Sequence, residues 1–223
     1  MYDKVSCLAV IPSFSSLRSF LEHCRLEGDL AVVDRPVDRH LEVCEIADRV
    51  MRQPGGGKAL LFTNVKGSKF PVALNILGSE RRMAWALGSA SLREAEDRIA
   101  KLVELEPPRG LRDVWNTAKT LAQVRHAFPK TVRTGPVQEV RQNTVDLGEL
   151  PVLTTWPDDA GPFVTFPMVF SKSPDGKPNC GMYRVQVFDK STTGMHWQRQ
   201  KDGRRHLDEA ARRQVLRKWK FQP

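Results

Sequence analysis

Within Pro178-Asn179-Cys180-Gly181-Met182-Tyr183-Arg184, an amide, a glycine, a phenol and a permanent cation fall in one short run. The Asn179 amide oxygen is a hard donor of the kind a divalent cation takes. Arg184 can grip a phosphate or carboxylate through two parallel N–H···O bonds. A second run, Gly194-Met195-His196-Trp197-Gln198-Arg199, sets an imidazole, an indole and an amide in succession, which suits the rim of an aromatic ligand pocket. On residue chemistry alone, the same positions also read as an asparagine turn, a surface arginine and a half-buried indole. Other motifs point less directly to chemistry. Gly55-Gly56-Gly57-Lys58 has glycines that let backbone N–H groups approach an anion, but it leads into a strand, not a helix. It fits neither a P-loop nor a dinucleotide fingerprint, and a flexible helix-to-strand connection is the preferred reading. His23 and His40 lack a second ligand at i+4, and His126 stands alone before Phe128-Pro129. Cys7, Cys24, Cys44 and Cys180 show no C-x-x-C spacing, which argues against a zinc site or a disulfide framework.

Positioning these residues falls to elements whose periods are legible. Ser16 caps an apolar series at Leu17, Phe20, Leu21 and Cys24, and Gly28 ends it, which predicts an amphipathic helix. Leu30 to Val33 is a short strand stopped at Arg35-Pro36. Asp38 then opens a second helix with an inner face of Leu41, Ile46, Ala47, Val50 and Met51. Ala59 to Phe62 and Pro71 to Leu77 read as a strand pair, followed by helices near 81–87, 91–105 and 111–124. From Phe128 onward, prolines recur and helix gives way to β-prone pieces at 137–140, 163–170 and 183–187. The predicted class is mixed α/β: an N-terminal α/β domain over 1–125, a small barrel or sandwich over 126–206, and a basic tail over 207–223, where Leu207 to Leu216 can form a helix with a thin apolar face.

Composition bounds the function classes. Hydrophobic residues at 40% can fill a core, and no apolar run approaches a membrane span. The N-terminus lacks a basic leader and a small-residue cleavage site, so the expected location is the cytoplasm. A formal net charge of +9 invites a nucleic-acid reading, yet most of that excess lies beyond position 198. The whole chain therefore does not read as a nucleic-acid binder. Trp219 and Phe221 between Lys and Arg residues leave a stacking arm as a third-ranked alternative for the tail.

Pro178-Asn179-x-Gly181-x-Tyr183-Arg184, Gly194-Met195-His196-Trp197, the Leu-Pro and Trp-Pro-Asp elements at 150–158, and Arg81 to Gly88 together resemble the UbiD-type decarboxylases. The resemblance runs from about Leu17 to His206. It implies a split barrel that binds prenylated flavin mononucleotide, preceded by an α/β domain. The implied reaction is reversible decarboxylation of aromatic or α,β-unsaturated carboxylic acids, the namesake step belonging to ubiquinone biosynthesis. The resemblance further implies that Asn179 ligates manganese, alone or with potassium, at the flavin phosphate. It also implies that Met182, Tyr183, Arg184, His196, Trp197, Gln198 and Lys201 contact the cofactor, and that Arg184 has a catalytic role beside the reactive carbon. A flavin prenyltransferase as cofactor supplier and a homo-oligomeric state follow from the same resemblance.

Two departures stand out. Gln200 occupies the position where relatives carry a metal-binding histidine. The acidic residues that complete the family's metal site and arginine network belong to a region beyond the matched stretch. The expectation is a truncated family member inactive alone, with a cofactor-holding or interaction subunit that needs a partner chain as the alternative.

Overall fold

The computed structural model describes residues 14–103 and 132–213. The expected helix at 111–124, His126 and the tail from 214 onward lie outside the described residues.

Local chemistry accounts for the helix ends. In α1 (Leu17–Leu26) the Ser16 hydroxyl accepts from Ser19 N–H, and the Ser19 side chain reaches back to the Ser16 N–H. After Glu27 the chain turns at Gly28, whose φ of +69° is costly for any residue with a Cβ. β1 (Leu30–Val33) follows. α2 (Glu42–Met51) starts three residues later than the Asp38 cap predicts, because Asp38 Oδ1 is taken by His40 N–H at 2.8 Å and its own N–H by Glu42 at 2.6 Å. The buried face of α2 is Val43 and Ala47, while Met51, expected inside, is 48% exposed. β2 (Ala59–Phe62) and β3 (Val72–Leu74) then join β1 in a three-stranded sheet of order β1-β2-β3, as expected for the strand pair. α3 (Glu80–Ala86), capped by Ser79, packs on α4 (Leu92–Val103).

Two corrections concern the second half. The expected strand at 137–140 is absent: Pro136–Gln138 forms a short 3-10 turn, and Val137 and Val140 are 90% and 81% exposed. Without a neighbouring strand to take their hydrogen bonds, β-prone side chains gain nothing from extension. The expected run 163–170 divides into β4 (Phe163–Val164) and β5 (Met168–Lys172), on either side of Pro167, which cannot donate to a ladder. β6 (Pro178–Met182), β7 (Val185–Val187) and β8 (Thr193–Met195) complete the strands, and α5 (Asp202–Arg212) runs unbroken through position 207. The sheets are open: β4-β7-β8 has three strands, β5-β6 has two, and no closed barrel occurs among the described residues. The mixed α/β class is as read from the sequence.

By contacts the chain forms two compact units. Of the described residues, the first takes in α1, 50–60, 73–103 and 132–143, with a core of Phe20, Leu21, Cys24, Ala59, Leu60, Ala84 and Ala95. Its least ordinary member is Arg82, fully buried: Nη1 donates to Gly57 O at 2.8 Å and meets Asp29 Oδ1 at 2.9 Å, while Nη2 donates to Asn75 O at 3.1 Å. Arg81 reaches the other Asp29 oxygen at 3.1 Å and lies over the Trp85 ring. The second unit takes in 32–49, 61–72 and 144–213 of the described residues, and buries Val37, Val43, Phe62, Val65, Tyr183 and Ala210.

Candidate functional site

The site motif sits on the β5-β6 hairpin, which turns through Ser173 and Gly176 (φ +87°), with Ser173 Oγ accepting from Lys177 N–H. The register places Ser171 opposite Asn179 and Val169 opposite Gly181. Side chains alternate along a strand, so Ser171 and Asn179 share the half-covered face while Phe170, Cys180 and Met182 share the exposed one. α5 packs against both strands.

Tyr183, just past β6, is 5% exposed, and its ring makes two glycines necessary. A Cβ at Gly181 would lie 2.4 Å from the ring and one at Gly203 would lie 3.0 Å from it. The Tyr183 hydroxyl accepts from Gly203 N–H at 2.9 Å and from Asn179 Nδ2 at 3.1 Å. Asn179 Nδ2 also donates to Ser171 Oγ at 3.3 Å, and that hydroxyl lies 3.0 Å from His206 Nδ1. Both bonds use the amide nitrogen, leaving Asn179 Oδ1 with no hydrogen bond to a described residue. The Trp197 ring meets Tyr183 edge-on at 5.9 Å, and its Nε1 is buried with no hydrogen-bond acceptor among the described residues.

A second cluster forms around Arg184. Its Nη2 pairs with Asp159 Oδ2 at 2.7 Å, and its guanidinium lies 3.6 Å from the centre of the Phe163 ring. The backbone ties this cluster to the second motif, since His196 N–H donates to Arg184 O at 3.1 Å. Nearby, burial pushes the Cys44 thiol above its usual range, the Thr155 hydrogen bond pulls it down, and the Asp159 charge raises it again. The net direction is upward, which favours the thiol over the thiolate at neutral pH.

Of the expected residues, Asn179, Tyr183 and Trp197 come together in one network, and Arg184 stands in the other. Met182 is 59% exposed on the opposite face of β6 from Asn179. His196 and Gln198 are exposed, Gln198 Oε1 accepts from Gln200 Nε2 at 3.1 Å, and Lys201 occupies the N-cap of α5. Sequence reading missed Ser171, His206, Asp159 and Phe163. Asp159 stands in a polar, glycine-bearing stretch with nothing beside it to mark a partner, and Ser171 lies in a strand with no motif around it. His40 makes a parallel backbone bridge to Thr154 and is exposed. Of the Gly55-Gly56-Gly57-Lys58 run, Gly55, Gly57 and Lys58 border a cleft of about 820 Å³ with Asp29, Ser79 and Arg81. A Cβ at Gly56 or Gly57 would strike Gly78 O at 1.8 Å or Val50 O at 2.2 Å, so close backbone packing explains these glycines.

Whether these residues suit a metal and a flavin phosphate is decided by the donor set. Asn179 offers one oriented oxygen, Arg184 a guanidinium and Trp197 an unpartnered N–H. No group of three or more His, Cys, Asp or Glu residues that could hold a metal ion exists among the described residues. The described residues thus fit as one wall of such a site and not as a complete metal cage.

Comparison with known proteins agrees with the motifs. The family model for the 3-octaprenyl-4-hydroxybenzoate carboxy-lyase N-terminal domain matches residues 21–107, and that for the Rift-related domain of the same enzyme matches 130–221. A protein of Aquifex aeolicus is 39% identical over 201 residues, 89% of this chain and 41% of its own length. One of Archaeoglobus fulgidus is 40% identical over 200 residues, 89% of this chain and 40% of its own. The chain therefore spans about two fifths of the curated relatives it matches. Among solved structures, Sedimentibacter hydroxybenzoicus vanillic acid decarboxylase in its open form superposes with a TM-score of 0.71 at 22% identity, over 91% of this chain and 40% of that one. The UbiD-class enzyme HmfF of Pelotomaculum thermopropionicum, in an evolved dimeric form bound to prFMN, gives 0.66 at 24% identity, over 89% and 42%. With both domain types in order along one chain, and a fold shared with these decarboxylases, the protein belongs to the UbiD family and corresponds to the N-terminal part of its members.

Proposed function

We propose that this chain is the cofactor-side portion of a prenylated-FMN-dependent carboxy-lyase acting on aromatic or α,β-unsaturated carboxylic acids. The observation that supports it best is the Asn179 amide, held through its nitrogen with its oxygen free, five residues from Arg184. In this reading Asn179 Oδ1 is one ligand of a manganese ion, alone or beside potassium, at the flavin phosphate. Arg184 neutralises negative charge near the reacting carbon, and His196, Trp197, Gln198, Lys201 and Met182 line the cofactor. Tyr183 serves from beneath, through its bond to Asn179. When bound, such a flavin supplies an electron sink for the pair released as carbon dioxide leaves and a proton replaces it. The reading carries with it a flavin prenyltransferase as supplier, a cytoplasmic location and a homo-oligomer. No described helix is long and apolar enough to cross a membrane.

Titrating prenylated FMN, with and without manganese, against four forms of the chain tests this. Arg184→Ala is expected to weaken binding by about 1.5–3 kcal/mol, roughly ten- to a hundredfold, the worth of a charge-assisted contact. Asn179→Ala should abolish the manganese dependence. Gln200→His should strengthen it, because imidazole nitrogen is a better donor than a neutral amide oxygen. Equal binding by all four forms would remove the assignment.

A second reading, a cofactor-holding or interaction subunit, draws on the outer face of β5-β6. Phe166, Met168, Phe170 and Met182 are 83%, 69%, 76% and 59% exposed. Apolar side chains so grouped favour association. Light scattering is expected to show assemblies above 25.2 kDa for the wild type and a shift toward that mass for Phe170→Lys. A wild-type monomer would count against both this reading and the homo-oligomer.

A further inference from the structure

We infer that His206, acting through Ser171, is the positioning residue that fixes which way the Asn179 amide faces, and this rests on the reading that Asn179 Oδ1 meets a cation. An amide group is nearly symmetric in outline. Turning it over by half a rotation exchanges oxygen for NH2 and would aim two N–H donors where a cation needs a lone pair.

Neither immediate neighbour prevents that turn by itself. Tyr183 and Ser171 both present hydroxyls, and a hydroxyl can accept from Nδ2 or rotate its proton to donate to Oδ1. Gly203 N–H occupies one lone pair of the Tyr183 oxygen at 2.9 Å but leaves its proton uncommitted. Ser171 differs because His206 Nδ1 stands 3.0 Å from its Oγ. With the ring proton on Nε2, Nδ1 is an acceptor, and the Ser171 proton is drawn to it. Only lone pairs then remain for Asn179, 3.3 Å away, so the amide must present Nδ2 and keep Oδ1 turned elsewhere.

The fold makes the relay rigid. Ser171 and Asn179 are registered opposite each other on β5 and β6, and His206 lies on α5, which packs on both strands. All three side chains are partly buried, so water competes less for the serine proton. A partner that orients a ligand in this way typically changes metal affinity by about 10- to 100-fold when removed.

The experiment uses the full 223-residue chain, labelled with nitrogen-15, as wild type, His206→Ala and His206→Asn. The Asn179 side-chain NH2 signals are assigned by their loss in Asn179→Ala. In the wild type these protons should exchange slowly, and His206 Nδ1 should show the shift of an unprotonated ring nitrogen. His206→Ala should speed their exchange by roughly tenfold, the equivalent of one hydrogen bond. In His206→Asn the new amide oxygen can accept the Ser171 proton in place of Nδ1 and should restore slow exchange. Manganese added to each form, read by electron paramagnetic resonance, should bind His206→Ala about 10- to 100-fold more weakly than the wild type or His206→Asn. Identical Asn179 signals and exchange in wild type and His206→Ala overturn the inference, as does a protonated Nδ1. Absence of manganese binding in a wild type whose Asn179 signals do respond to His206→Ala overturns instead the metal reading on which it rests.

Discussion

Given prenylated FMN, manganese and a cinnamic or hydroxybenzoic acid, the 223-residue chain is expected to release carbon dioxide no faster than the mixture without protein. The reaction needs a proton donor poised at the carbon the carboxylate leaves. Around Arg184 the described residues supply one paired carboxylate, Asp159, already engaged at 2.7 Å. They supply no cluster of three or more acidic, imidazole or thiol ligands to complete a metal site. Loss of a positioned acid costs about 10²- to 10⁴-fold before any loss of cofactor geometry is counted. The measurement is product formation by chromatography over hours. Turnover clearly above the control would mean that a local group, with Asp159 first in line, serves as the acid.

Removing the Arg82 side chain is expected to cost the most stability of any single change on α3. Arg82→Ala leaves the 8%-exposed Asp29 with only Arg81 across from it, and strips hydrogen bonds from Gly57 O and Asn75 O. Breaking one side of a buried pair typically costs about 3–5 kcal/mol. The lower end applies, because Arg81 remains 3.1 Å from Asp29. Against a total of about 5–15 kcal/mol for a domain, this would shift the urea midpoint strongly. Adding Asp29→Asn should recover part of the loss by removing the stranded charge. Unfolding indistinguishable from wild type would show that water reaches Asp29 and that the pair contributes little.

What the sequence made legible was local. The Ser16 cap, the Leu17-Phe20-Leu21-Cys24 stripe and Gly28 specify α1 without reference to anything distant, and the structure agrees. Asn179 and Arg184 were legible because their chemistry and spacing lie within one short run. Their companions were not. Ser171 and His206 are 35 residues apart and Asp159 and Arg184 are 25 apart, so neither pair leaves a mark in any local window. Asp38 misled because a capping side chain can satisfy N–H groups just outside a helix as readily as those inside it. The strand expected at 137–140 failed for a related reason, since β propensity acts only where a sheet stands ready to receive it. Nothing in the residues next to Arg82 marks it for burial, and only its meeting with Asp29, 53 positions upstream, makes that burial tolerable.

The pairing of Arg184 with Asp159 has a bearing on which anions can enter. Asp159 acts as an internal counter-ion, with a side chain 13% exposed against 38% for Arg184, so the guanidinium presents little uncancelled charge to solution. A monoanion that displaced Asp159 would exchange one charge-assisted pair for another and leave a carboxylate without its cation, a trade with little net gain. A ligand that brings its own divalent cation escapes this penalty, because the released carboxylate can turn toward the new positive charge. Selection would then fall on a ligand that arrives with its divalent cation as a unit: chloride and small monocarboxylic acids would compete poorly, although each could bind a free arginine.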